Sequence, residues 1–186
     1  MAILKILTYP NEELKQIASA VEYFDSALHD FLANLEETML AGPGGVGIAA
    51  PQVACFQRIV IVDCSLTRKP VPNHGRLVLI NPEIIQHEGM VSGREGCMSV
   101  PDYTGNVIRA EAVTLRYQDG EGQTQQIDAE GYEARAIQHE IDHLDGKLFL
   151  DRLVSRHNDL FRRKVYQAPK EKKTGRLNGP APLPLA

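Results

Sequence analysis

No stretch of this sequence restricts the fold as strongly as residues 131–144, where an apolar stripe and the run His139-Glu140-Ile141-Asp142-His143 share one helical segment. Ala134, Ile137, Ile141 and Leu144 recur at three and four residues, which puts them on one face of a helix that opens after Gly131 and stops at Asp145-Gly146. The two histidines stand at i and i+4, so their rings leave the helix from one side about a turn apart. That spacing suits two imidazoles on one metal ion. Glu140, beside the first of them, can reach a water on that ion and take its proton as general base. The plainer reading is a surface helix with two ordinary histidines.

The rest of the chain supplies what packs around such a helix. Leu28, Phe31, Leu32, Leu35 and Met39 form the stripe of an earlier amphipathic helix, with Ser26 as its expected cap and an end near Ala41. Gly42-Pro43-Gly44-Gly45 cannot continue it, and residues 46–53 are left as loop or edge strand. Residues 58–63 and 77–80 read as strands, the second closed by Asn81-Pro82; residues 113–118 and 124–127 read as a hairpin about Asp119-Gly120-Glu121-Gly122. Pro101 is expected to end regular structure soon after Cys97, and the segment up to Val21 reads as a surface wrap with little functional content. Strands bunched between one early and one late helix predict an α+β fold of antiparallel β-sheets packed around a central helix that carries the metal motif.

At 186 residues, with 43% hydrophobic and 24% charged side chains, the chain is long enough for one sizeable core and too apolar for a disordered segment. No apolar run approaches the roughly 18 residues a membrane span requires, so no membrane role is expected. Three cysteines, Cys55, Cys64 and Cys97, do not make the disulfide framework of a small secreted domain. With no charged leader and apolar core at the N-terminus, a cytoplasmic location is expected. Charge is uneven: residues 1–150 carry 11 Lys and Arg against 21 Asp and Glu, and residues 151–186 carry 9 against 3. Such a basic end either meets a polyanion or forms a solvated helix. Residues 155–168 are expected as a basic terminal helix that completes a single catalytic domain, 1–168, and the Pro-rich stretch 169–186 is expected to be poorly ordered.

A hydrolytic metal site takes three protein ligands and leaves one position open, so a third ligand is sought outside the helix. Cys55, Cys64, Cys97, His74, His87, His157 and the carboxylates all qualify by type. Cys97, in Glu95-Gly96-Cys97-Met98-Ser99, follows a glycine that permits close backbone approach, and its thiolate would complete a Cys-His-His set. Cys55 and Cys64 flank a strand and are assigned to packing. Gly45-Val46-Gly47-Ile48-Ala49-Ala50-Pro51-Gln52 lacks the ending of a phosphate loop and the spacing of a dinucleotide loop. Its glycines would let a substrate backbone lie close, and Gln52 can donate its side-chain N–H to an oxyanion.

Taken together, Gly45 to Gln52, Glu95 to Ser99 and Gln138 to His143 match the G-x-G-x-A-A-x-Q, E-G-C-x-S and Q-H-E-x-D-H patterns of the peptide deformylases in order and spacing. The sequence resembles that family over most of residues 1–153, including Ile6-Leu7 and Pro10 near the start and Asp145-Gly146 with Leu148-Phe149 after the helix. The resemblance implies removal of the formyl group from N-formylmethionyl peptides of nascent chains, with release of formate. It implies that Cys97, His139 and His143 hold one divalent metal, ferrous iron first, with zinc, nickel or cobalt as alternatives. It further implies that Glu140 is the base and that Gln52 and the backbone N–H of Met98 stabilise the oxyanion. Val46, Gly47, Glu95 and Gly96 would line the peptide groove, and Tyr132, Arg135 and Ala136 the methionine pocket, with the Arg135 stem packed and its head in water. Glu95 and Arg109 are expected to pair behind the site, and Asp142 to orient a ligand. Some members dock to the ribosome near the exit tunnel through a basic terminal helix, and residues 155–168 are the counterpart; a monomer is expected.

Departures are few. Met98 stands where leucine is usual, Tyr132-Glu133 replaces a commonly aliphatic pair, and Thr104 sits where some members place an arginine near the groove. Two other readings stay open at this point. One is a peptidase of the His-Glu-x-x-His type, which would take its third ligand from a downstream residue. The other is a catalytically inactive module that binds peptides or the ribosome.

Overall fold

The computed structural model describes residues 2–163. A long first helix, α1 (Ser26–Ala41), precedes strands β1 (Gly47–Ala49), β2 (Ile59–Asp63), β3 (Arg76–Glu88), β4 (Val91–Cys97), β5 (Val100–Arg109), β6 (Ala112–Gln118) and β7 (Thr124–Glu130). The motif helix α2 (Gly131–Leu144), a single-turn α3 (Arg156–Asp159) and a short strand β8 (Leu160–Arg162) complete it. The strands form two antiparallel sheets, ordered β1-β2-β3-β6-β7 and β4-β5-β8. This is the α+β arrangement expected, with His139-Glu140-Ile141-Asp142-His143 on the central helix.

Strand β2 shows why the larger sheet lies between two helices. Its residues alternate sides with the two-residue period of a strand. Ile59 and Ile61 join Leu28, Leu32, Leu35 and Met39 of α1 in one core, and Val60 and Val62 join Ala134, Ile137, Ile141 and Leu144 of α2 in another. Both faces are dry, and each fully buried Val, Leu or Ile contributes about 1.5–3 kcal/mol. A third core, of Cys97, Val100, Val107, Leu148, Phe149 and Leu150 with Leu14, ties the smaller sheet to the turn that follows α2. Helix α2 therefore runs through the middle of the molecule, and Gly146, with φ at +68°, ends it by packing against the backbone of Lys15.

Several expectations need correction. The cap of α1 is Asp25, whose Oδ1 accepts from the Leu28 N–H at 3.0 Å, so Ser26 is already inside the helix. Strand β3 does not close at Asn81-Pro82; Asn81 adopts a positive φ of 50°, the register shifts there, and pairing to β6 continues as far as Glu88. Pro101 does not end regular structure, because it lies at the start of β5, where a missing N–H costs little. The basic helix expected over 155–168 is one turn only. Leu160–Arg162 instead pairs antiparallel with Tyr103, Thr104 and Gly105 of β5, since an open strand edge satisfies its backbone. The rest of that helix, the boundary at 168 and the Pro-rich stretch 169–186 lie outside the described residues.

Candidate metal centre

Helix α2 delivers His139, Glu140 and His143 to one side, and the end of β4 delivers Cys97 against them. A register shift between Gly96 and Cys97 turns the chain through Met98 and Ser99 into β5 and points the thiol at the helix. Cys97 Sγ lies 3.3 Å from His143 Nε2, and the two imidazole rings stand 5.1 Å apart at 83°. One donor atom each from Cys97, His139 and His143 falls within 4.8 Å of the others, and all three residues are buried. Phe149 stacks on His139 from the third core.

Behind these donors a chain of charges fixes their orientation. Glu95 Oε2 accepts from His139 Nδ1 at 2.8 Å, which leaves Nε2 to face the thiol. Arg109 donates to both oxygens of Glu95 and to Asp142, and Asp142 also accepts from Arg152. Arg135 adds a hydrogen bond to Glu95 Oε1 at 2.9 Å. Burial alone would raise the Glu95 carboxyl, but His139 and Arg109 hold it down to about 2. Burial would likewise raise the Cys97 thiol, and the charge of His143 and hydrogen bonds from both imidazoles bring it well below its ordinary value. Glu140 is different: burial is its largest influence and, with Cys97 and Glu95 adding to it against the pull of both imidazoles, the carboxyl rises to about 7.

Glu140, Cys97 and His139 open onto a cleft of about 240 Å³, also lined by Val46, Gly47, Gln52, Gly96, Met98 and Tyr132. A side pocket of about 80 Å³ branches from it between Val46, Tyr132, Arg135 and Ala136. Gln52 is held rigidly: its Oε1 accepts from the Ala49 N–H at 2.9 Å, and its Nε2 donates to Ser99 Oγ at 3.0 Å and approaches Cys97 Sγ at 3.5 Å. Strand β1 is one edge of the larger sheet and β4 one edge of the smaller, and the cleft lies between them over α2.

Chains of known kind share this architecture. A family model described as polypeptide deformylase matches residues 3–159. The chain belongs to the peptide deformylase family. A peptide deformylase of Syntrophobacter fumaroxidans is 43% identical over 171 residues, which cover 92% of this chain and 98% of that protein. The crystal structure of a Legionella pneumophila peptide deformylase superposes with a TM-score of 0.75 at 41% identity, covering 81% of this chain and 86% of the other. A Met-Ala-Ser-bound peptide deformylase of Acinetobacter baumannii does so at 0.75 and 37%, covering 81% and 98%.

Peptide deformylases are metal-dependent, and the donors here fit a metal. One thiolate and two imidazoles suit iron, cobalt, nickel or zinc rather than magnesium or calcium. Two buried atoms in this cluster, Glu140 Oε2 and His143 Nδ1, have no hydrogen-bond partner among the described residues. One expectation changes. The Arg135 head does not reach water: it donates to Glu95 and to the carbonyls of Val91 and Val107, because β4 and β5 close over it. Both oxygens of Glu95 are taken by Arg109, Arg135 and His139, and Glu95 also lines the side pocket. Sequence reasoning missed the hydroxyl of Ser99 as the partner of Gln52, although it stands in the quoted pattern. It also missed the opening segment, where the N–H groups of Leu7 and Tyr9 donate to the carbonyls of Gln52 and Ser99 at 2.7 and 2.8 Å. Extended backbone with no periodicity carries no signal of that kind.

Proposed function

We propose that this protein hydrolyses the formyl group from N-formylmethionyl peptides, with Cys97, His139 and His143 as metal ligands and Glu140 as the proton-transfer group. One observation carries the assignment of roles: a thiol, two imidazoles and a carboxyl whose Oε2 has no partner among the described residues converge at a cleft that lies between the β1 and β4 edges. When bound, a divalent metal supplies Lewis-acid polarisation of the formyl carbonyl and acidifies water enough for attack near neutral pH. Glu140 takes the proton of that water and returns it to the methionine nitrogen as the C–N bond breaks, giving formate and a free amine. Gln52 Nε2 and the Met98 N–H would stabilise the negative charge that develops on the formyl oxygen. The fixed position of Gln52 supports this, since a preorganised donor needs no rearrangement during the reaction.

An extended peptide suits the cleft because β1 and β4 present unpaired backbone groups along it. Val46, Gly47 and Gly96 then form the groove, and the side pocket between Tyr132, the Arg135 stem and Ala136 takes the methionine. The A. baumannii relative bound to Met-Ala-Ser supports a peptide as the ligand. Ferrous iron is the metal we propose, on family resemblance and donor chemistry. No helix among the described residues is long and apolar enough to cross a membrane. Action on nascent chains would place the protein in the cytoplasm, and the surplus of Lys and Arg in residues 151–186 supports ribosome contact, which co-sedimentation at low and high salt tests.

Formate release from formyl-Met-Ala-Ser by anaerobically purified protein, with metal content measured on the same sample, tests the reading. Glu140→Gln should keep the metal and lose about 10²–10⁴-fold in rate. Metal-loaded wild-type protein that releases no formate overturns the assignment.

A further inference from the structure

The short strand β8 does more than cover an edge. Phe161 pairs across the sheet with Thr104, which pairs in turn with Gly96, so the three form one row over β8, β5 and β4. Residues two apart on a strand share a face, so Arg163, just past β8, follows Phe161 on that face, as Arg94 precedes Gly96. Arg94 locks the row, its guanidinium lying 3.6 Å from the centre of the Phe161 ring while its Nη1 donates to Thr104 Oγ1 at 3.2 Å. The backbone N–H of Arg163 donates to the Asp102 carbonyl at 2.8 Å, which fixes where its side chain starts.

From there the guanidinium enters the cleft. Arg163 lines it together with Gly96, Cys97 and Glu140, and its Nη2 lies 2.7 Å from where a Cβ on Gly96 would stand. A Cβ at position 96 would push the guanidinium from where it lies. The Nε of Arg163 is buried with no hydrogen-bond partner among the described residues. A guanidinium is always charged and presents donors in a fixed fork that matches carbonyl and carboxylate oxygens, and an unsatisfied buried donor is costly. Gly96, the residue against its tip, offers no side-chain acceptor.

Resting on the deformylase reading, we propose that Arg163 is a substrate-positioning residue that donates to the carbonyl, or to the terminal carboxylate, of the peptide beyond its formylmethionine. With methionine in the side pocket, the following residues pass over Gly96 under this guanidinium. Recognition of the chain beyond methionine is then supplied by a residue after the catalytic helix, carried into the cleft by β8.

The test uses the full-length, metal-loaded protein as wild type, Arg163→Ala and Arg163→Lys, with formyl-Met amide, formyl-Met-Ala-Ser and formyl-Met-Ala-Ser amide as substrates. Arg163→Ala should raise KM for formyl-Met-Ala-Ser by about tenfold with kcat within about twofold, the loss of one charge-assisted hydrogen bond. It should leave formyl-Met amide unchanged, and lysine should recover part of the loss. A loss that persists on the capped tripeptide assigns the acceptor as a carbonyl, and one confined to the free acid assigns it as the carboxylate. Unchanged KM, an equal loss on all three substrates, or a gain in kcat/KM overturns the proposal. Wild-type protein inactive on all three would instead overturn the deformylase reading, and this one with it.

Discussion

Gly47 shows how little room the site allows a single atom. A Cβ at that position would stand 2.5 Å from Glu140 Oε1 and 2.9 Å from its Cγ, so a methyl group displaces the carboxylate. Gly47→Ala should therefore cost at least about tenfold in formate release, since misplacing a proton-transfer group by about 1 Å commonly costs more than that. Metal content and melting temperature should stay near wild type. A variant with wild-type turnover would show that Glu140 can move freely. That His139, Glu140 and His143 share one helix was legible in the sequence because a helix sets the positions of residues four apart by local geometry alone. Cys97 was legible only through its surrounding pattern, as its approach to His143, 46 residues along the chain, depends on the register shift between Gly96 and Cys97. Arg135 was misread because an arginine stem beside a pocket looks the same whether its head meets water or the carbonyls of β4 and β5.

Between elements, the largest stake is the charge network joining β4, β5 and α2. Arg109 is buried and serves Glu95 and Asp142 together, so Arg109→Met leaves two carboxylates in a dry site. Removing one partner of a buried pair costs about 3–5 kcal/mol, which urea denaturation would show as a lower midpoint, and loss of metal should follow as His139 loses its orientation. The β6–β7 hairpin gives a milder case with a pH signature. Asp119 accepts from Gln125 Nε2 and from the N–H groups of Gln123 and Glu121, which hold its carboxyl below the ordinary 3.8. A depressed folded value means the stabilisation is present above the unfolded value and is lost as pH falls through the folded one. Asp119→Asn should therefore melt lower than wild type by a constant gap from pH 7 to about pH 5, narrowing below about pH 4. A gap independent of pH would assign the effect to shape instead of charge. This hairpin was read from its Asp-Gly turn, whereas the β4–β5 hairpin was not, because its residues do not alternate cleanly, and β8 was not, because its pairing to β5 is distant in sequence.

For the molecule as a whole, the metal should act as a fold stabiliser as well as a reactant. Its ligands come from β4 and α2, so an ion that binds only the folded state raises stability by mass action, about 4 kcal/mol at a thousandfold excess over its dissociation constant. Chelation should lower the melting temperature on the order of 10 °C for a chain of this size, reversibly on adding back a divalent ion. Cys97→Ser should abolish most of that difference. The α+β class and the central helix were accessible from element order, but the partition into two sheets was not, since it depends on which edges stay open. Those edges have a bearing on solubility. An unpaired strand edge is a template on which other chains can assemble. Here β7 carries Asp128 and Glu130, and β8 is three residues long and ends in arginine, two devices that discourage such growth. The other two edges, β1 and β4, border the cleft. The protein thus keeps its adhesive backbone where a single extended peptide is welcome, and its resistance to aggregation is enforced at the far sides of both sheets.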